Sequence, residues 1–227
     1  MLVLAPRLIT MLTHNDRTVK DALAYFNEAK DVKGALNWGF KDVGLPYEQM
    51  KDLVAEMKAA GKTTFMEVVT YTEDECKKAA DLSVACGFDY LTGTIYYPSV
   101  MKILKDGGCK YLPFCGKVSG SPSVLSGSGD EIIAEAKELL TDGVDGFDLL
   151  AYRHDSEEPV SLSKRFISAV DAPVIIAGSI NSFARLDIIK DLNPWGFTIG
   201  GAFFTRNFVP DGSYSDQLDA ALRYLEK

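Results

Sequence analysis

Two charged residues stand inside otherwise apolar stretches. Lys41 follows Trp38, Gly39 and Phe40, and Glu67 lies within Phe65-Met66-Glu67-Val68-Val69. Burial beside aromatic rings desolvates a lysine ammonium and lowers its pKa. Such a lysine can act as a base or form a Schiff base; if it stays charged, it pairs with an anion or a carboxylate. An isolated carboxylate in an apolar run needs a partner, and Lys41 on a neighbouring segment is the natural one. A Lys–Glu pair could supply the acid and the base that move a proton on and off a carbon next to a carbonyl. The plainer alternative is a structural ion pair.

The chain has two histidines, His14 and His154. His154 sits between Tyr152-Arg153 and Asp155, which makes it a candidate general acid or substrate contact. A solvated loop histidine is the plainer reading. His14, with Asn15 and Asp16, reads as a cap on the first helix. Neither HxH nor HxxxH spacing occurs, so no metal site is expected, and nothing calls for a cofactor. Lys117 opens a Gly/Ser-rich segment, residues 116–129, and is a candidate Schiff-base lysine or second anion contact. The segment is long for a connecting loop and reads either as a lid that excludes water or as a disordered surface loop.

The clearest chemical signal is carried by glycines. The chain reads Ala177-Gly178-Ser179-Ile180-Asn181-Ser182 after one apolar run and Ile199-Gly200-Gly201-Ala202 after the next. Glycine lets backbone N–H groups close on a phosphate, and a following helix start adds its dipole. Gly178, Ser179, Gly200 and Gly201 are therefore candidate phosphate-binding residues. Two tight turns without a ligand are the alternative.

Eight apolar or β-branched runs must position these groups. They cover residues 7–13, 35–40, 63–70, 90–96, 111–115, 146–151, 173–177 and 197–199, and each is followed by an amphipathic helical stretch. Pro46 and Pro98 sit at helix starts, Gly61 and Gly87 at helix ends, and Thr72-Glu-Asp-Glu75 has the form of a capping box. Continuous apolar runs such as VIIA suit strands buried on both faces. Eight βα units without a composition break predict a closed (β/α)₈ TIM barrel spanning residues 1–227 as one domain, with an open eight-stranded sheet as the alternative. A barrel of this kind has about 250 residues, with a lower edge near 200. Its reactive groups lie at the C-terminal strand ends, and the loops after strands 7 and 8 commonly form a phosphate site.

The segment TIGGAFFTRNF resembles the end of the ribulose-phosphate-binding barrels, whose eighth strand runs into a V-V-G-G/S-A-I-T-R-P type motif. The nearest subgroup in motif is the N-acetylmannosamine-6-phosphate 2-epimerases. WGFKDVG resembles their lysine-bearing turn, with Lys41 in the lysine position. The resemblance implies a ribulose-phosphate-binding type of barrel and a sugar-phosphate substrate. That family places a catalytic Glu at the end of strand 7, where this chain has Ala177; Glu67 could supply the missing carboxylate.

The net charge of −8 opposes a nucleic-acid partner, whose phosphates demand a basic face. The opening MLVLAPRLIT lacks the basic start and long apolar stretch of a signal peptide, and no run reaches a membrane span. The four cysteines form no CxxC pair and fit reduced thiols in a cytoplasmic protein. Barrels of this size often pair, which leaves a homo-oligomer open. Three functions compete: a sugar-phosphate epimerase or isomerase, a Schiff-base aldolase or lyase using Lys41 or Lys117, and a phosphate-ligand sensor without catalysis.

Overall fold

The computed structural model describes residues 5–226. Residues 1–4, the start of the stretch read above for a leader, lie outside it, as does Lys227. The barrel strands are β1 (Arg7–Met11), β2 (Asn37–Lys41), β3 (Thr63–Val68), β4 (Tyr90–Gly93), β5 (Lys110–Leu112), β6 (Phe147–Leu149), β7 (Val174–Ile176) and β8 (Gly196–Ile199). All are parallel, in the order β6-β7-β8-β1-β2-β3-β4-β5. The two end strands meet: Asp145 N donates to Tyr111 O at 2.9 Å and Asp148 N to Pro113 O at 3.0 Å. The sheet is therefore a nearly closed barrel rather than an open sheet.

Helices α1 (Ala22–Ala29), α2 (Tyr47–Ala59), α3 (Glu73–Cys86), α4 (Pro98–Asp106), α5 (Gly129–Asp142), α6 (Pro159–Ala169) and α7 (Phe183–Leu192) follow strands β1 to β7 in turn. After β8 come a short helix α8 (Gly201–Phe204) and the terminal α9 (Tyr214–Leu225). None is long and apolar enough to cross a membrane.

Strand alternation sorts the side chains into two cores. Ile9, Met11, Phe65, Leu112 and Ile175 point inward and fill the barrel. Leu8, Trp38, Phe40, Met66 and Phe147 point outward and pack under the helices. Trp38 is fully buried; its Nε1 donates to Ala35 O at 3.0 Å and its ring meets Phe26 edge-on. Gly39 makes room for the inner core, because a Cβ there would lie 2.6 Å from Met11 Sδ and 2.9 Å from Phe65 O. The same alternation sends Lys41 and Glu67 inward, one layer above Gly39 and Phe65.

Some boundaries differ from those the sequence predicts. The fourth run stops at Gly93 because Gly93 and Thr94 both take positive φ, at 78° and 66°. The fifth stops at Leu112, before Pro113, which has no N–H for the ladder. Thr72 caps α3 without the expected box: its hydroxyl donates to the Glu75 carboxylate at 2.6 Å and leaves the backbone N–H groups alone. True capping boxes form instead at Ser128–Glu131 and Ser213–Asp216.

Candidate active site

The cleft begins with a local turn. After β1 the chain makes a small antiparallel hairpin pairing Thr13 with Thr18 and His14 with Arg17. Asn15 and Asp16 form its tip with φ of 50° and 57°. Positive φ at both central positions marks a type I′ turn, a conformation Asn and Asp tolerate better than most residues. These residues were expected to cap α1, but its N-cap is Asp21. The hairpin is clasped to β2: the Thr18 hydroxyl donates to Lys41 O at 2.7 Å and accepts from Lys41 N at 3.0 Å.

That clasp brings Asp16 over the end of β2. Lys41 Nζ lies 3.1 Å from Asp16 Oδ1 and 3.5 Å from Glu67 Oε1. Lys41 and Glu67 are direct register partners on adjacent strands. The Lys41 side chain is 9% exposed, against 44% for Asp16, so the ammonium is the most enclosed part of the triad. Burial pushes its pKa down, as expected, but Glu67 and Asp16 outweigh burial, and the net shift is upward. Of the two readings of Lys41, that direction favours the charged, paired lysine. Burial likewise tends to raise the Asp16 carboxyl, yet its bond to Lys41 holds it below the usual range.

Two more carboxyls flank this group. Asp148 on β6 also points inward and is 2% exposed. Among the described residues its Oδ1 has no hydrogen-bond partner. Burial and the nearby Glu67 charge push this carboxyl well above the usual range, against the pull of Lys41 and Arg153. The Asp42 carboxyl is pushed up to about 6, mainly by burial.

The cleft above the triad has a volume of about 320 Å³ and runs from Lys41 to the turns after β7 and β8. Gly178 and Ser179 take φ of 84° and 61°, and successive left-handed residues turn backbone N–H groups toward one side. A Cβ on Gly178 would lie 3.0 Å from Arg153 Nε. Gly200 is tighter still, because a Cβ there would lie 2.6 Å from Thr13 Oγ1. Gly201 and Ala202 begin α8, and the first N–H groups of a helix have no partner within it. His14 Nδ1 lies 3.6 Å from where a Gly201 Cβ would be. The arrangement offers backbone donors, a guanidinium and an imidazole around one end of the cleft, which suits a phosphate dianion.

Six of the eight expected residues thus line one cleft: Lys41, Glu67, Gly178, Ser179, Gly200 and Gly201. His154 and Lys117 do not. The His154 side chain is fully enclosed. Its Nδ1 accepts from Ser156 N at 3.1 Å and Glu157 N at 2.9 Å, so the ring proton sits on Nε2 and is given to Gly127 O at 2.8 Å. Lys117 is exposed on a hairpin formed by Lys117–Ser119 and Val124–Ser126. The Gly/Ser-rich segment is therefore an ordered hairpin that His154 pins from one side, and Leu125 is fully buried under it.

Asp16 and His14, read above as part of a helix cap, line the cleft instead, and Arg153 joins them. For Asp16 a signal existed: T-H-N-D-R-T flanks an Asn-Asp pair with β-branched residues, a hairpin pattern. Arg153 ends the 3₁₀ turn Ala151–Arg153, and no local pattern aims its side chain.

No family model matches the chain. No curated protein matches it either. Solved structures do. A KDPGal aldolase structure superposes with a TM-score of 0.67 at 15% identity, covering 96% of this chain and 94% of the other. The N-acetylmannosamine-6-phosphate 2-epimerase from Clostridium perfringens gives 0.63 at 14% identity, covering 88% of each chain. Orotidine 5′-phosphate decarboxylase from Pyrococcus horikoshii OT3 gives 0.67 at 9% identity, covering 97% and 99%. All three are TIM barrels, and this chain shares their fold, a (β/α)₈ barrel.

Proposed function

We propose that this barrel binds a phosphorylated sugar and moves a proton at the carbon next to its carbonyl, as an isomerase or epimerase. The observation that carries the reading is Lys41 held between Asp16 and Glu67 in a cleft that ends on the Gly178-Ser179 and Gly200-Gly201 turns. The phosphate occupies the turns, with Arg153 and His14 beside it. The carbonyl faces the Lys41 ammonium. Glu67 takes a proton from the adjacent carbon; the C–H electron pair forms the enediolate double bond, and the carbonyl π pair becomes an oxyanion facing Lys41. A fixed cation at that oxygen stabilises the charge where it develops.

One carboxylate suffices to carry the proton to the neighbouring carbon, and with the hydroxyl proton passing from one enediolate oxygen to the other this is isomerisation. Return to the opposite face of the same carbon, which is epimerisation, needs a second protonated group. Asp16 lies beside Lys41 for that task, but Lys41 holds its carboxyl low and ionised. The one-base route is therefore the better supported. Ala177 leaves no carboxylate at the end of β7, so Glu67 takes the base role that a strand-7 Glu would have.

The aldolase among the similar structures raises the Schiff-base reading. A Schiff base needs a neutral amine, and Lys41, whose pKa is raised, is the only lysine lining the cleft among the described residues. Borohydride with a ketose phosphate should thus leave Lys41 without an adduct. A sensor without turnover would bind the same phosphates and exchange no proton. The cysteines are free and buried, which supports a reducing compartment such as the cytoplasm.

The test is proton exchange in D₂O with a panel of aldose and ketose phosphates. Incorporation of one deuteron next to the carbonyl is expected. If no member of the panel exchanges while binding is observed, the enzymatic reading fails.

A further inference from the structure

A second depression opens on the other side of the Lys41–Asp16 pair. It measures about 270 Å³ and shares both residues with the first cleft. Its floor is the end of β2 and the residues after β3; its roof is the tip of the 117–126 hairpin. The roof is fixed rather than draped. The Tyr71 hydroxyl lies 2.7 Å from Gly120 O and 3.0 Å from Ser123 Oγ, and Tyr97 OH donates to Tyr71 O at 2.9 Å. His154 holds the other end of the hairpin through Gly127. The depression is thus preformed, as small-molecule subsites usually are.

Its chemistry differs from that of the phosphate end. Besides Lys41, its polar side chains are Thr70, Tyr71, Ser121 and Ser123, which carry hydroxyls, and Asp16 and Asp42, which carry carboxyls, with Val43 and Val69 as apolar walls. Lys41 is the one cation lining it among the described residues, and its charge is already matched by Asp16 and Glu67. An anion entering here would face carboxylates with no free cation. An uncharged chain bearing hydroxyls would find acceptors on the carboxyls, donors on the hydroxyls, and valine surface for its carbon skeleton.

We infer that this depression is a subsite for the far, uncharged and hydroxylated end of the substrate. The substrate then extends past Lys41 in both directions, phosphate on one side and polyol tail on the other. The inference rests on the phosphate reading above and adds to it a class: open-chain sugar phosphates longer than a triose, with a neutral tail.

The test uses unreactive alditol phosphates and the full chain, with calorimetry as the readout. Inorganic phosphate, glycerol 3-phosphate, sorbitol 6-phosphate and 6-phosphogluconate are titrated into the wild-type protein and into Val43→Trp. Val43 is 43% exposed, so the larger ring fills the mouth of the depression from outside without disturbing the core. Sorbitol 6-phosphate should bind about tenfold more tightly than glycerol 3-phosphate, the equivalent of one or two added hydrogen bonds. Val43→Trp should erase that advantage, and 6-phosphogluconate should bind more weakly than sorbitol 6-phosphate because its tail carboxylate meets Asp16 and Asp42. Equal binding of the three- and six-carbon compounds by the wild type, or an equal loss for both in Val43→Trp, overturns the subsite while leaving the phosphate site standing. If neither inorganic phosphate nor any of the esters binds, the phosphate reading has failed and the subsite falls with it.

Discussion

Lys41 and Glu67 are register partners on β2 and β3, and their charged ends meet at 3.5 Å inside the barrel mouth. Asp16 meets the same ammonium at 3.1 Å from a hairpin 25 residues earlier in the chain. One cation therefore balances two carboxylates from two different elements. Lys41→Met leaves Glu67 facing Asp16 with nothing between them. Exchange of the substrate proton should fall by about 100- to 1000-fold, the usual loss when a group at a developing oxyanion is removed. Folding stability should fall toward the low side of the about 3–5 kcal/mol typical of a broken buried pair, because Asp16 keeps part of its water. Exchange by NMR and a urea titration measure the two effects; retained exchange in Lys41→Met would remove the lysine from the mechanism.

Of the three glycines in the turns after β7 and β8, Gly200 leaves the least room for a side chain. A methyl group there would meet Thr13 Oγ1 at 2.6 Å and Thr13 O at 3.0 Å, so the turn or the β1 hairpin must move. Gly200→Ala should weaken inorganic phosphate binding by about tenfold or more, because displaced N–H donors lose their aim. Gly61→Ala serves as the comparison, since Gly61 also has positive φ but has nothing within 4 Å of a Cβ and lies far from the cleft. Calorimetry on both variants decides: similar phosphate affinity in the two would mean that the turns after β7 and β8 do not hold the anion.

The barrel was legible because its signals repeat. Eight apolar runs with helices between them leave few topologies, and strand alternation alone turns Lys41 and Glu67 to the same interior. The two turns after β7 and β8 were legible because glycine at such positions carries a backbone meaning. His154 follows β6 on the expected face, yet the Ser156 and Glu157 backbone N–H groups and the Gly127 carbonyl occupy both ring nitrogens. Those partners come from residues 127, 156 and 157, and sequence spacing does not reveal which of them folds back. Asp16 reads as a cap in the sequence; the local Asn-Asp pattern marks its turn, but its place beside Lys41 depends on the Thr18–Lys41 clasp, a contact across 23 residues.

His154 offers a separable test of the hairpin. His154→Ala deletes the bond to Gly127 O and leaves two backbone N–H groups without their acceptor. The hairpin over 117–126 should open more often, with a local cost of about 1–3 kcal/mol. Amide exchange should rise at Val118 and Leu125, which are buried in the intact protein, and stay unchanged in α2 and α3. Inorganic phosphate affinity should hold, because His154 does not line the cleft that carries the glycine turns. Loss of phosphate binding with an intact hairpin would return His154 to the site.

Asp42 makes the acid–base behaviour of the fold testable. Its carboxyl is raised from 3.8 to about 6 in the folded chain, chiefly by burial, with Lys41 opposing. A raised carboxyl means that the folded state binds more protons than the unfolded state between those two values. Stability therefore falls as pH rises through that window, and the loss is complete above the folded value. Asp42→Asn removes the titration. Its stability relative to wild type should climb from near pH 4 to near pH 6 and then level off, by at most about 3 kcal/mol. Urea midpoints of both proteins across this range supply the difference curve. Parallel curves would place the Asp42 carboxyl in water, and a difference that shrinks with pH would mean that the Lys41 charge outweighs burial at this position.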